Sequence, residues 1–258
     1  SGLSEQDAAD QWMELARESI RLRFRADVPV GFNLSGGLDS SLLLGLVHQA
    51  YPSNAGINAF HFYTGDERYD ELPWVRDMIA QTGFPLQTVR LGVKQVPQLA
   101  QQVAIHQDEP YGGIPTLAYS LLFQEARKKG TIVLLDGQGV DEALAGYDYY
   151  RQIGNNSIVQ GVTSSPVRPD CLRPEFRALA QQPGCPTPFD NRLQNLQYRD
   201  LFYTKIPRAL RFNDRVSLMH STELREPFLD HRLVEFCFAL PEEFKVKNNQ
   251  GKWLARCA

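Results

Sequence analysis

The sequence predicts an α/β fold: a parallel sheet with helices on both faces, followed by a mainly helical C-terminal part. Short apolar runs of strand length alternate with segments of about 10–15 residues whose apolar positions recur at helical spacing. Strands joined through helices form right-handed crossovers, and right-handed crossovers produce parallel strands. The clearest buried strand is TIVLLDG at 131–137.

The elements follow in regular order along the first half of the chain. Strands are predicted at 28–34, 57–63, 86–91 and 131–137. Helices are predicted at 7–25, after a glycine turn at 35–37, from Asp70 to a stop at Gly83, at 94–107, at 115–130 and from Asp141 onward. We treat 1–258 as one domain, with a core at about 25–150, a proline-rich excursion at about 151–192 and the helical part at about 193–258.

The composition excludes several classes of protein. Hydrophobic residues make up 43% of the 258 residues and charged residues 22%, which is typical of a globular protein and not of a disordered one. The net charge of -3 gives no electrostatic footprint for nucleic acid, so we expect no such partner. No long apolar run and no signal peptide is visible, so we expect no membrane partner and a cytoplasmic location.

The cysteines and histidines show no metal-ligand spacing. The four cysteines contain no C-x-x-C pair, and the five histidines are scattered. A disulfide between Cys171 and Cys185 is disfavoured because we expect a reducing compartment.

The segment SGGLDSS at 35–41 lies between a predicted strand and a predicted helix. Its two glycines allow backbone N–H groups to approach a ligand, and the helix N-terminus attracts an anion. The serines add hydroxyl groups, so the loop is suited to phosphate or pyrophosphate. The Asp39 carboxylate would repel phosphate unless a cation lay between them. We therefore interpret Asp39 as a ligand of Mg²⁺. The loop matches neither the P-loop nor the dinucleotide-binding glycine pattern.

Three further motifs follow in order. The first is LDGQGVDE at 135–142, together with AGY at 145–147. The second is REPFLDHRLVE at 225–235. The third, at 252–256, consists of KWL followed by Arg256. Together with SGGLDSS they resemble the C-terminal synthetase domain of the asparagine synthetase family, whose fold is the adenine nucleotide α-hydrolase-like ATP pyrophosphatase. The related β-lactam synthetases share the pattern.

The resemblance implies a set of site residues. Contacts to ATP are implied for Leu34, Ser35, Gly36, Gly37, Asp39, Ser40, Ser41, Phe62, Asp136 and Gly137. Asp39 and Asp141 match a pair that holds Mg²⁺, and Lys252 matches a basic residue that stabilises the adenylation transition state. Gln138 is a second catalytic candidate, although the family usually has a glutamate there; a Gln can only hydrogen-bond. Asp136 replaces the usual serine.

The resemblance also implies a reaction. ATP would adenylate the side-chain carboxylate of aspartate, pyrophosphate would leave, and ammonia would displace AMP to give asparagine. Glutamine-using members carry an N-terminal glutaminase domain with a cysteine nucleophile, and no cysteine precedes Cys171 here. We therefore expect a linked glutaminase domain in the natural protein that supplies ammonia from glutamine. A homodimer is compatible with the resemblance.

Two alternatives stay open. One is a related ligase that acts on another carboxylate or amine, such as a β-lactam synthetase-like enzyme or an enzyme that amidates a peptide or sugar acid. The other is a nucleotide-binding domain without catalysis, which the replacement at Gln138 favours and the presence of Asp39, Asp141 and Lys252 disfavours. The excursion at 151–192 suggests a lid over the nucleotide.

Overall fold

Five parallel strands form the central sheet of the computed structural model, which describes residues 2–52, 56–151, 171–179 and 184–258. The strands are β1 (Val30–Asn33), β2 (Ala59–Tyr63), β3 (Leu86–Arg90), β4 (Val133–Leu135) and β5 (Glu223–Arg225). Their order across the sheet is β3-β2-β1-β4-β5, and every neighbouring pair is parallel. The predicted parallel sheet is therefore confirmed.

Thirteen α-helices are present in the described parts of the chain. They are α1 (Glu5–Arg23), α2 (Leu38–Ala50), α3 (Leu72–Thr82), α4 (Val96–Gln107), α5 (Ile114–Lys128), α6 (Val140–Ala143), α7 (Asp148–Arg151), α8 (Pro174–Ala178), α9 (Arg192–Phe202), α10 (Lys205–Leu218), α11 (His231–Ala239), α12 (Glu242–Lys245) and α13 (Trp253–Cys257). Short 3₁₀ turns occupy Val93–Gln95 and Pro227–Leu229. The helices expected in the first half of the chain are confirmed.

Alternate residues of β4 show why helices cover both faces. Val133 and Leu135 belong to the core cluster that contains Trp12 of α1 and Leu43 of α2. Leu134, between them, packs on the opposite face in the cluster that contains Phe123 of α5. Successive strand residues point to opposite faces, so an uninterrupted apolar strand needs cover on both sides.

Two details differ from the prediction. The C-terminal part contains strand β5, which pairs with β4 through Leu135 and Arg225 and was missed because its three residues include one apolar side chain, Leu224. The helix expected from Asp141 ends after one turn. It ends there because Ala145 adopts a left-handed backbone with φ of 54°, which an α-helix cannot continue.

The predicted excursion lies mostly outside the described residues. The lid hypothesis concerns the same segment and stays a prediction. All four cysteines are free thiols, so the disfavoured disulfide is not formed. Within the described ranges, no helix combines the length and apolar character that crossing a membrane requires.

Candidate active site

Two loops meet at the carboxyl edge of the sheet, between its central strands β1 and β4. The order of the strands reverses at this point, and open α/β sheets place ligands in the crevice that results. Residues 35–37 follow β1, and residues 136–139 follow β4. A Cβ on Gly137 would lie 3.3 Å from the Asp39 carbonyl carbon and from the Ser40 nitrogen, so this glycine lets the two loops approach closely.

Serine hydroxyl groups hold the first loop in shape. The buried Ser40 hydroxyl donates to the Ser35 carbonyl at 2.7 Å and accepts the Ser35 N–H at 3.1 Å. The Ser41 hydroxyl donates to the Gly37 carbonyl at 2.7 Å. Gly37 is the N-cap of α2 and has no side chain that could cap the first turn. The first turn of this helix can therefore donate its amides to an anion.

A carboxylate already contacts this loop. Glu71, the N-cap residue of α3, accepts a hydrogen bond from the Gly36 N–H at 2.8 Å. The sequence indicated only that an acidic residue lies near the start of a helix, because a contact across 35 residues leaves no local signal. The contact supports the expectation that the loop attracts negative charge.

A cavity of about 270 Å³ opens beside the loop. The predicted residues Leu34, Ser35, Ser40, Phe62 and Asp136 line it together with His61 and Tyr119. The Phe62 ring stacks on the His61 ring, with centroids 6.2 Å apart and an interplanar angle of 10°. The structure thus brings residues at the carboxyl ends of β1, β2 and β4, and Tyr119 of α5, to one pocket. Its walls are both aromatic and polar, and the aromatic rings suit a planar base.

Asp136 is buried behind this pocket. It accepts hydrogen bonds from the Tyr119 hydroxyl at 2.9 Å and from the Gly137 N–H at 2.8 Å. Burial raises the pKa of Asp136 above its usual value although both bonds oppose the shift. Tyr119 was missed as a site residue because its position in a predicted amphipathic helix indicates only a packing role.

Glu226 lies close to Asp136, because the backbone carbonyl of the preceding residue, Arg225, accepts a hydrogen bond from the Asp136 N–H at 3.0 Å. Both Glu226 carboxylate oxygens are shielded from solvent. Burial, and then the neighbouring Asp136, raise the pKa of Glu226 well above its usual value. The motif at 225–235 was recognised from the sequence, but Glu226 within it was not singled out as a site residue.

Lys252 joins two carboxylates that the sequence separates widely. Its Nζ lies 2.7 Å from Asp39 Oδ1, 2.9 Å from Asp39 Oδ2 and 2.7 Å from Asp141 Oδ1. Burial and the charge of Asp141 raise the pKa of Asp39 to about 6, against the lowering effect of Lys252. Burial alone would lower the pKa of Lys252, but the two carboxylates outweigh it and raise that pKa. The three residues therefore form one charged cluster.

The cluster is chemically suited to Mg²⁺. Its two carboxylates already surround a cation, and Mg²⁺ is usually held by one or two carboxylates with substrate phosphates completing its ligands. Within the described ranges, no group of three or more His, Cys, Asp and Glu side chains is placed for a metal. A Cβ on Gly146 would collide with the Asp141 carboxylate and the Lys252 side chain, which explains the glycine there.

Gln138 faces a second cleft, of about 540 Å³, which shares Tyr119 with the first cavity. Glu142 lines the same cleft and accepts a hydrogen bond from the Tyr147 hydroxyl at 2.7 Å. Burial raises the pKa of Glu142 to about 7, although the bond from Tyr147 lowers it. The cleft thus places Gln138 and Glu142 next to the first cavity.

A glycine-rich loop at a strand-to-helix turn, in a doubly covered parallel sheet, is typical of nucleotide-binding α/β proteins. The comparison with known families is more specific: the family described as asparagine synthase matches residues 11–258. The chain therefore belongs to the asparagine synthase family. The predicted family and the predicted type, an asparagine synthase-type ligase domain, are confirmed at this level.

Several curated proteins are similar to the chain. Glutamine-hydrolysing asparagine synthetase 1 of Bacillus subtilis is 24% identical over 93% of this chain and 45% of its own length. The glutamine-hydrolysing asparagine synthetase of Gallus gallus is 28% identical over 94% of this chain and 38% of its own length. The chain thus spans less than half the length of these relatives.

Among solved structures, an NH3-dependent NAD synthetase from Campylobacter jejuni matches with a TM-score of 0.36 and 18% identity, over 56% of this chain and 61% of that chain. This overlap is too partial to carry an argument about function.

Proposed function

We propose that the chain is the synthetase domain of an ATP-dependent amidoligase that converts aspartate to asparagine. The observation that carries the proposal is the meeting of three features at one sheet edge: the loop at 35–37, the Lys252 cluster and the Gln138 cleft. Membership of the asparagine synthase family supports the same reaction.

ATP would bind across the crevice. Its β and γ phosphates would lie on the loop of Ser35, Gly36 and Gly37 and accept hydrogen bonds from the first turn of α2, with Ser40 and Ser41 shaping that turn. Its adenosine part would occupy the cavity lined by Leu34, Phe62 and Asp136, next to Gly137. The α-phosphate would then lie towards the second cleft, which shares Tyr119 with the first cavity.

Adenylation follows from this arrangement. A side-chain carboxylate oxygen of aspartate bonds to the α-phosphorus while the bond to the bridging oxygen breaks and pyrophosphate leaves. Asp39 and Asp141 would hold Mg²⁺, which supplies positive charge against the charge that develops on pyrophosphate. The Lys252 ammonium offers a second positive charge at the same place, where it stabilises the transition state.

Amide formation completes the reaction. The nitrogen of ammonia bonds to the acyl carbon, the bond from that carbon to the AMP oxygen breaks, and the nitrogen loses a proton. The Gln138 amide lines the cleft and can orient the acyl group by hydrogen bonding, but it cannot take the proton. That proton therefore passes to another base.

The source of ammonia is a separate part of the proposal. The relatives above are named as glutamine-hydrolysing, and the chain spans less than half of each. We infer that the natural protein carries a linked glutaminase domain that releases ammonia from glutamine. Supplied ammonium should replace that domain in an assay of this chain.

The test is formation of asparagine from aspartate, Mg·ATP and saturating ammonium, measured together with AMP and pyrophosphate. We expect the three products in equal amounts, and none of them when aspartate is omitted. ATP binding without any product, with aspartate and with a panel of other carboxylates, would contradict the proposal and favour a binding domain.

A further inference from the structure

Tyr119 lies at the junction of the two cavities, because it lines both of them. The proposed function places adenosine in the first, the nucleotide cavity, and the acceptor in the second, the acceptor cleft lined by Gln138 and Glu142. The acyl carbon of the adenylate joins the α-phosphate to the acceptor, so it would lie where the cavities meet. Tyr119 is therefore placed beside the carbon that ammonia attacks.

The hydroxyl group of Tyr119 is connected to a buried carboxylate. It donates a hydrogen bond to Asp136 Oδ2 at 2.9 Å. The other oxygen, Asp136 Oδ1, accepts the Gly137 N–H at 2.8 Å, and this bond fixes the direction of the carboxylate. A hydroxyl oxygen that donates its own proton still has lone pairs that can accept another. Tyr119 and Asp136 thus form a path for a proton from the junction of the cavities to a buried oxygen.

The surroundings of Tyr119 suit a relay and not an ionised tyrosine. Burial, and then the charge of Asp136, raise the pKa of Tyr119 well above its usual value. The tyrosine therefore stays neutral near pH 7. Its oxygen can take a proton only while its own proton passes to Asp136.

Glu226 determines which of two neighbouring buried carboxyl groups is ionised. Two like charges in apolar surroundings oppose each other, so one member of such a pair keeps its proton. Burial, and then Asp136, raise the pKa of Glu226 well above its usual value. Asp136 receives hydrogen bonds from Tyr119 and Gly137, which favour its ionised form, while burial raises its pKa and makes it a stronger base than an exposed aspartate. Asp136 is therefore the member that can accept a proton.

Glu142 is a carboxylate of the acceptor cleft, but its position is less favourable. It is not among the described residues that line the nucleotide cavity, and it is 2% exposed. Its carboxylate already accepts a hydrogen bond from the Tyr147 hydroxyl at 2.7 Å. The Gln138 amide has no basic atom for a proton. The path through Tyr119 therefore fits the junction best.

We propose that Tyr119 and Asp136 together accept the proton that the attacking nitrogen loses in amide formation. The nitrogen bonds to the acyl carbon, its proton passes to the Tyr119 oxygen, and the Tyr119 proton passes to Asp136 Oδ2. The bond from the acyl carbon to the AMP oxygen breaks, and AMP leaves with the bonding electrons. Asp136 ends as a neutral acid and returns its proton to water through the nucleotide cavity after AMP departs. The inference rests on the proposed function and names its missing base.

The first test separates amide formation from adenylation in Tyr119→Phe and Asp136→Asn, which keep the size of each side chain. A positioned base contributes about 10²–10⁴-fold, so asparagine formation from ammonium should slow by at least about 10²-fold. Exchange of labelled pyrophosphate into ATP at saturating ATP stops before amide formation, and it should stay within about threefold of the parent rate. Equal losses of both activities in Tyr119→Phe would overturn the inference, as would asparagine formation at the parent rate.

The control is Tyr203→Phe, an exposed tyrosine after α9 whose hydroxyl contacts Tyr198 away from both cavities. It loses the same hydroxyl group as Tyr119→Phe and should keep both activities. Slower amide formation in this control as well would overturn the assignment to Tyr119.

The second test changes the nucleophile. Hydroxylamine in place of ammonia gives the aspartyl hydroxamate, and its protonated nitrogen is far more acidic, so the loss of its proton needs little help from a base. Tyr119→Phe should form the hydroxamate within about threefold of the parent rate, although it is slow with ammonia. Equal slowing with both nucleophiles would overturn the inference, because a defect of shape affects both alike.

The proposed function and this inference fail in different ways. A parent protein without pyrophosphate exchange that depends on aspartate contradicts the proposed function. NMR titration of the Asp136 carboxyl carbon then still tests the path, with Asp136→Asn to assign the signal. Tyr119→Phe should raise the pKa of Asp136 further, since it removes a hydrogen bond that lowers this pKa. An unchanged pKa would overturn the inference.

Discussion

The Glu71 carboxylate accepts a hydrogen bond from the backbone N–H of Gly36, at 2.8 Å, in the loop proposed to bind the ATP phosphates. Phosphate oxygens and this carboxylate would compete for the same donor. Two like charges about 4 Å apart repel by about 1 kcal/mol in water, which corresponds to about a fivefold change in affinity.

The variant Glu71→Gln should therefore bind ATP about fivefold more tightly, because it removes that charge and keeps the shape of the side chain. Titration with ATP at constant ionic strength measures the effect. The control is Glu67→Gln, an exposed glutamate of the same connecting segment, which should bind ATP like the parent. Weaker binding by Glu71→Gln would show instead that the contact preorganises the loop.

Lys252→Met should mainly slow the chemical step. The lysine lies in the Asp39–Asp141 cluster, where its charge can oppose charge that develops in the transition state. Loss of one such donor lowers kcat by about 10²–10³-fold. Rates of AMP formation at saturating ATP check this, with Lys94→Met, an exposed lysine, as the control. An unchanged kcat would remove Lys252 from the mechanism.

Gly146→Ala should displace the cluster without a change of charge. The added methyl group would meet the Asp141 carboxylate and the Lys252 side chain, and such overpacking costs about 1–3 kcal/mol. We expect lower stability in urea and loss of AMP formation.

The control for that variant is Gly45→Ala, in helix α2, where a Cβ would meet nothing within 4 Å. It should raise stability by up to about 1 kcal/mol, since alanine is the better helix former, and keep activity. Full activity of Gly146→Ala would contradict the proposed arrangement of the cluster.

Asp230→Asn should destabilise the fold by about 3 kcal/mol at neutral pH, because it breaks a buried ion pair. Asp230 is buried, accepts from Arg23 Nη1 at 2.6 Å and from Arg232 Nε at 3.0 Å, and caps α11. Urea denaturation measures the loss, with the exposed Asp27→Asn as the control.

Asp230 should also make the stability of the fold depend on pH, with a loss of stability in acid. Its hydrogen bonds from Arg232, and then those from Arg23, hold the pKa of Asp230 well below its usual value, although burial opposes them. Its stabilising contribution is therefore present above the unfolded pKa of about 4 and is lost as the pH falls below it. Asp230→Asn should lose less stability than the parent between neutral pH and about pH 3. An equal loss in both proteins would contradict this assignment.

Gln138→Glu should leave adenylation intact, since Gln138 lines the acceptor cleft and not the loop at 35–37. Exchange of labelled pyrophosphate into ATP, in the presence of aspartate, measures adenylation separately from amide formation. Gln102→Glu, an exposed position of α4, serves as the control. Loss of exchange in Gln138→Glu alone would show that the neutral amide is needed at this position.

The sequence predicted four strands and the residues of the loop because these features are local. Strands β1 and β4 are apolar runs, and SGGLDSS is a contiguous motif. The pairing of Lys252 with Asp39 spans 213 residues. The motif resemblance named both residues as site residues but did not indicate their contact.

Other contacts had no comparable signal. Strand β5 is three residues long with one apolar side chain, so its pattern could not indicate a strand, and its place in the sheet depends on pairing with β4. Glu71 caps one helix and Tyr119 lies in another, and the sequence of both helices indicates only ordinary amphipathic segments. Their contacts with the site therefore had no signal in the sequence.

The most direct test of the central claim, adenylation of aspartate, is exchange of labelled pyrophosphate into ATP by this chain without ammonium. The account predicts exchange that requires both aspartate and Mg²⁺ and that falls by about 10²–10³-fold in Lys252→Met. Exchange that is equally fast without aspartate, or none in the presence of bound ATP and aspartate, would contradict it.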